Sequence, residues 1–314
     1  MSFLNLLFSP PTGLSLWEIL GLALVLGILH GGTPDEHTWP ITFSYSVGSY
    51  STKGGMRAGF VFSTGFTIQR AILTTLGFLG LASIYLVYNL DGPVYVLVGV
   101  VMFMAGSYIL KGRYLHLPFD VLFGGKGHHT DEAQRLPTEE VHPRPTSLRM
   151  ALGHGFVAGW GFGGFATILV FFLAPQVGSV FLAPLVGLMF GIGTMLMQIL
   201  TGAIFANLIR RGRMTLEQVK FIGQKTAGRT LYWGGLAFAV LGAVIILLPQ
   251  IDAVGISTGN PVPNLDFLGI AFVMVVLVVG FIGGTSILKA FREAKALSNK
   301  ESSSLTKETT PPVT

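Results

Sequence analysis

Cysteine is absent from all 314 residues, which excludes disulfides, thiolate metal sites and thiol-redox relays. Charge is scarce too: Asp, Glu, Lys and Arg make up 11% of the chain against 51% hydrophobic residues. A soluble domain of this length could not cover its surface with so few charges. Between Met1 and Trp17 there is no Lys or Arg. The basic start of a cleavable signal peptide is therefore missing, and the first apolar run is expected to be retained. No Gly-x4-Gly-Lys-Ser/Thr stretch occurs, so a nucleotide is not an expected partner; nucleic acid is not expected either.

What remains is apolar and rich in glycine, with 42 Gly. Seven runs are long enough to cross a bilayer, at about 15–31, 58–87, 93–111, 150–174, 180–208, 230–249 and 265–288. Arg70 apart, Lys and Arg fall only in alternate connections: 32–57, 111–149, the basic stretch from Arg210 to Arg229, and the C-terminal tail. Positive charge marks the cytoplasmic side. The expected protein is thus an all-α, multi-pass protein of the cell membrane with its N-terminus outside and its C-terminus cytoplasmic. The expected parts are a first three-span repeat (1–111), a cytoplasmic loop (112–147), a second three-span repeat (148–249), a seventh span (250–290) and a disordered tail (291–314). Trp17, Tyr88 and Tyr95 would stand at the outer interface, Tyr114 and Trp233 at the inner one. Thr215–Arg229, weakly amphipathic and basic, would lie on the inner membrane surface.

The two repeats are read from short matches. Gly59-x-x-Phe62-x-x-Gly65 recurs as Gly187-x-x-Phe190-x-x-Gly193, an offset of 128, and His30-Gly31 recurs as His154-Gly155, an offset of 124. Three-span units in one chain have opposite orientations, the inverted-repeat plan of many transporters.

The most informative stretch is His30-Gly-Gly-Thr-Pro-Asp-Glu-His37, placed directly after the apolar run Ile19–Leu29. Ionisable groups near membrane depth are costly and mark sites or pathways. Imidazole with carboxylate suits a divalent transition metal. Thr33, Pro34 and Glu36 also make a good helix start, as N-cap, first helical residue and capping-box partner. That leaves His30, Asp35 and His37 as candidate ligands at a broken first helix. Glu36 is expected as cap or as acceptor for an imidazole, because adjacent helical side chains diverge by about 100°. His154 lies roughly 7–8 Å below the cytoplasmic end of the fourth span, at 1.5 Å per residue. His30 is placed near the cytoplasmic end of the first, so His154 could be a fourth ligand; otherwise it is a histidine hydrogen-bonded across helices. Arg70, beside Gln69 in the second span, needs a partner, with Asp35 and Glu36 the obvious acids. Gln198 could line a path or bond between helices. His128 and His129, with Asp131 and Glu132, form a possible metal-capture segment in the cytoplasmic loop, where a soluble metal-accepting protein could dock.

The segment Leu26-Gly-Ile-Leu-His30-Gly-Gly-Thr-Pro-Asp35-Glu-His37 resembles the His-x4-Asp-His motif that nickel/cobalt transporters carry in an early membrane helix. The likeness is greatest to the NicO type of efflux and urease-accessory membrane proteins, within the lysine-exporter superfamily. It covers residues 15–210 in layout and 26–40 in motif. Glu36 lengthens the family spacing by one residue, and Gly163-Gly-Phe-Ala-Thr167 replaces the family's Pro-Cys. The resemblance implies a secondary transporter and not an enzyme, without a prosthetic group. Nickel or cobalt would be carried, with iron, manganese and zinc as further candidates. It equally implies, as alternatives, an exporter of amino acids or other small organic solutes, or a membrane protein that delivers metal to a soluble enzyme.

Overall fold

The computed structural model describes residues 3–110, 143–210 and 214–308. His128, His129, Tyr114 and most of the expected cytoplasmic loop lie outside the described residues. The chain is mostly helical, and four of its described helices are long and apolar enough to cross a membrane: Asp91–Ile109, Ala183–Asn207, Leu216–Leu247 and Ile270–Asn299. Their outward stripes are bare of polar cover. On the second of these helices Leu196, Leu200 and Ile204 are each more than half exposed, one turn apart. Exposed apolar area on that scale needs a non-aqueous neighbour, as in a multi-pass membrane protein.

In chain order the elements are α1 (Phe3–Phe8), α2 (Leu16–Gly32), α3 (Trp39–Gly48), α4 (Thr52–Phe78), α5 (Ser83–Val87) and α6 (Asp91–Ile109). Then come α7 (Leu148–Ala158), α8 (Gly164–Thr167) with a π-helical continuation over Ile168–Leu173, α9 (Ala183–Asn207) and α10 (Leu216–Leu247). A two-stranded hairpin, β1 (Gly255–Ser257) with β2 (Phe267–Gly269), leads into α11 (Ile270–Val275). After a second π-helical stretch the described chain ends in α12 (Gly284–Glu308).

Glycines set the closest packing. The antiparallel pair α4/α9 meets at Gly55 against Gly202, Gly59 against Gln198 and Gly187 against Arg70. The pair α6/α10 meets at Gly99 against Gly235 and at Gly106 against Tyr232. Small residues let helix backbones touch where lipid offers no hydrophobic drive for association.

These contacts come in two copies. A Cβ on Gly27 would run into the Phe190 carbonyl, and one on Gly155 into the Phe62 carbonyl. Gly193 lies on the Leu24 carbonyl as Gly65 lies on that of Leu152. Every residue in the second contact of each pair is its counterpart shifted by the same offset of 128. The repeat therefore extends from α4/α9 to α2/α7 without a change of register. This corrects the pairing of His30 with His154: in the register of the packing, His30 matches Ala158, and His154 matches Leu26.

Several boundaries differ from expectation. The first run does not end at residue 31. It stops at Gly32, passes through the irregular segment 33–38 and resumes as α3, whose residues from Pro40 to Gly48 are all buried. The second run, expected to reach 87, ends at Phe78, because Gly80 turns the chain with φ +72°. Helix α10 starts at Leu216 on a Thr215/Gln218 capping box, and so absorbs the stretch expected on the membrane surface. Within it Lys225 and Arg229 are buried, and Arg229 forms a two-pronged pair with Glu293 of α12 at 2.6 and 2.8 Å. Tyr95 is likewise buried.

Candidate functional site

The break at 33–38 is dictated locally. Thr33 is extended (φ −88°, ψ 149°), as a residue before proline must be, so α2 cannot continue through it. Thr33 therefore closes α2 and does not cap a new helix; its hydroxyl donates to the His30 carbonyl (3.2 Å). The Asp35 carboxylate accepts the backbone N–H of His37 (3.1 Å), and the Asp35 carbonyl accepts those of Thr38 and Trp39. An aspartate serving its own backbone in this way makes a turn, and α3 starts only at Trp39. Glu36 is thus no capping-box residue. Outside a helix, the 100° divergence between neighbours no longer applies.

The consequence is convergence. One ligand atom each from Asp35, Glu36 and His37 lies within 4.8 Å of the others. His37 Nδ1 is 3.0 Å from Glu36 Oε1, and the Tyr95 hydroxyl donates to the same oxygen at 3.3 Å. A divalent transition metal binds N and O ligands at about 2.0–2.2 Å, so its ligands stand no more than about 4.4 Å apart. Shifts of a few tenths of an ångström would close this set on an ion.

His30 lies deeper. Its ring packs on Phe66, Phe165 and Phe190, with centroids 5.2–5.5 Å away, and its Nδ1 is 3.8 Å from Asp35 Oδ2. Phe66 is midway along α4, so His30 sits level with the middle of that helix. Among the described residues, neither ring nitrogen of His30 has a hydrogen-bond partner, nor has His37 Nε2. Buried polar atoms left open in this way point to something else that meets them.

A second break faces the first. Between α7 and α8, residues Gly159-Trp-Gly-Phe-Gly163 leave the helix, and Gly161 is in contact with His37: a Cβ there would lie 2.5 Å from Nδ1. Between the breaks is a cavity of about 200 Å³, lined by His30, Asp35, Glu36, His37, Arg70 and Tyr95, among others. Asp91 at the start of α6, with Asp252 and Asn264 of the connection before α11, form its mouth. Burial, and then the nearby Glu36 carboxylate, push the Asp252 carboxyl above its ordinary range, with His37 opposing. Tyr85 donates to Asp91 (2.9 Å), and Asn264 reaches the Thr33 hydroxyl (3.4 Å).

Neither a family model, a curated protein nor a solved structure matches the chain. The site stands on its own geometry.

The remaining expected residues fall in different places. Arg70 lines the cavity but pairs with neither Asp35 nor Glu36; its Nη2 donates to the Gly161 carbonyl (3.1 Å). Gln198, its counterpart in the other half, does the same for the other break, its Nε2 donating to the Gly31 carbonyl (3.4 Å). Gln69 is fully buried against Gly159 and outside the cavity wall. His154 is also outside it: its Nδ1 faces the Tyr45 hydroxyl of α3 at 2.6 Å and the Met150 carbonyl at 3.2 Å. It is a histidine bonded across helices. Asp91, Tyr95, Asp252 and Asn264 are site residues that the sequence reading does not single out. A signal exists for the two aspartates, which lie in connections that carry an acid and no Lys or Arg.

Proposed function

We propose that the chain is a secondary transporter of a divalent transition-metal ion, with Asp35, Glu36 and His37 as its principal ligands and His30 beneath them. The carrying observation is the convergence of two carboxylates and an imidazole on one buried cavity between two interrupted helices. Interrupted helices facing one another midway through a bundle are how transporters offer an ion both backbone and side chains. In this reading the chain crosses the membrane seven times, with α2 and α3 as one broken span and the N-terminus outside. The cavity mouth, made by Asp91 and by the connection 249–269 that contains Asp252, then faces outward, and its acids attract cations.

The resemblance of the His30–His37 segment to NicO-type proteins makes nickel or cobalt the first candidates. Bound ion would lose part of its water to the three ligands. Protonation would release it, since imidazolium and carboxylic acid no longer coordinate. Movement would be driven by an ion gradient or by the membrane potential, worth about 2.3 kcal/mol per charge per 100 mV.

Purified protein in liposomes, loaded with a metal-sensitive dye, should accumulate nickel or cobalt. His37→Ala should reduce that flux to the level of empty liposomes, and unchanged flux would sink the proposal. A second reading, export of a small organic solute, draws on Arg70, whose guanidinium could hold a carboxylate. The cavity of about 200 Å³ has room for a small solute, but among the described residues its wall carries more acid than base, with Asp35, Glu36, Asp91 and Asp252 against the single Arg70, which favours a cation.

A further inference from the structure

Among the described residues, Arg70 is the only Lys or Arg in the cavity wall, and it is 3% exposed. One of its N–H groups serves Gly161, and its guanidinium carbon lies 4.6 Å over the Phe66 ring. Nε and Nη1 have no hydrogen-bond partner among the described residues. Asp35 is near enough for its charge to act on Arg70, but neither it nor Glu36 is in direct contact with the guanidinium: Glu36 engages His37 and Tyr95, and Asp35 turns to the His37 backbone.

Bracing the opposite break does not need the charge either. Gln198, at the equivalent position of the other half, braces Gly31 with a neutral amide. The charge of Arg70 lies over the Phe66 and Phe190 rings, and its two open N–H groups are left over from its structural work. A buried guanidinium left open is costly, and its planar donor fork matches a carboxylate-type anion. Asp35, Glu36 and His37 supply the three close groups, with His30 beneath them, its Nδ1 3.8 Å from Asp35 Oδ2; an ion held by the close three keeps at least one position open.

We propose that the cavity takes its metal ion together with a compact oxyanion, bound by the free N–H groups of Arg70 and filling coordination positions that the three protein ligands leave open. The anion is of carboxylate type and small enough for the cavity. Bicarbonate and the carboxylate of a small organic chelator share this chemistry. The inference rests on the metal-transport reading and extends it to what accompanies the ion.

The test is calorimetric titration of purified full-length protein with nickel perchlorate in a perchlorate medium free of bicarbonate. It is repeated with millimolar bicarbonate, acetate or glycine. Binding of ion and anion is linked and reciprocal, with coupling of about 5–150-fold typical, so a fitting anion should tighten nickel binding at least about fivefold. Arg70→Gln should bind nickel but lose that dependence, and Arg70→Lys should keep part of it. The Gln variant copies the residue that braces the other half, and its metal-free melting temperature reports whether it folds. Tightening by bicarbonate alone, or by glycine and acetate, identifies the source. Equal nickel affinity in every medium, unchanged in Arg70→Gln, overturns the inference and leaves the metal reading standing. No nickel binding in any medium overturns both. Glycine bound without metal, and lost in Arg70→Gln, would make the cavity an organic solute's and refute the co-ligand.

Discussion

Glu36 and His37 are neighbours in the chain, yet their side chains meet, with Oε1 and Nδ1 3.0 Å apart. Only an irregular backbone allows this, and the turn made by Pro34 and Asp35 supplies it. Replacing Glu36 by Gln removes one candidate ligand charge and alters the setting of the imidazole. Removing partners that orient metal ligands costs about 10–100-fold in metal affinity, so Glu36→Gln should weaken nickel binding by at least that much. Tyr95→Phe, which loses only a hydroxyl donor to Glu36, should stay within about tenfold. Calorimetric titration of both variants checks the order.

Gly161 acts through space and not through chemistry. Its missing Cβ is what lets the His37 ring stand where it does. Gly161→Ala should displace that ring and lower metal affinity by about 10–100-fold, while the melting temperature in detergent moves little. Gly153, with nothing within 4 Å of a Cβ, is the control, and its Ala variant should bind metal as the parent does.

Gly27 and Gly155 form a matched pair of close approaches, each with no room before a carbonyl of the facing helix. Ala at either position should destabilise the fold by about 1–3 kcal/mol, the cost of overpacking a well-filled contact. The two effects should be alike. Thermal unfolding of the two variants would contradict the repeat if one lost stability and the other lost none.

Asp252 has a raised carboxyl, first from burial and then from Glu36. The folded chain holds this proton more tightly than the unfolded chain does. Its contribution to stability is therefore lost as pH rises through the window just above ordinary carboxylate values. Asp252→Asn cannot ionise. At neutral pH it should melt at or slightly above the parent, by no more than about 2 °C, and below about pH 4 the difference should close. Metal capture from dilute solution should fall in the same variant, since the mouth loses an acid.

The absence of cysteine makes sidedness directly measurable. Ser257→Cys, in the exposed strand β1, should react with a membrane-impermeant maleimide in intact cells. Lys295→Cys should react only after permeabilisation. The reverse pattern would invert the proposed orientation.

How much of this is legible in the sequence differs by level. Apolar runs locate the four long helices, because they follow from the cost of burying charge and depend on no partner. The Gly59 and Gly187 triplets carry the correct offset of 128. The His30/His154 match carries 124, because a shared dipeptide holds no packing information, whereas glycines that touch facing carbonyls do. The capping reading of Thr33-Pro-Asp-Glu fails for a related reason. The same residues suit a helix start or a turn, and the choice between them falls to hydrogen bonds from His37, Thr38 and Trp39 onto Asp35. His30 and Asp35 are recognisable from their chemistry. Asp252 and Asn264, far along the chain from His37, are brought to the cavity by tertiary folding that no local pattern encodes.

The repeat carries one more meaning at the site itself. Shifted by the same offset of 128, Thr33, Asp35, Glu36 and His37 fall on Gly161, Gly163, Gly164 and Phe165. Two halves that repeat each other's packing have parted in chemistry: one bears acid and imidazole, while the other has glycine at three of the four positions and, at the fourth, Phe165 packed on His30. The two walls thus have opposite needs: the first must keep its side chains, and at Gly161 the second must lack one, since a Cβ there would lie 2.5 Å from His37 Nδ1.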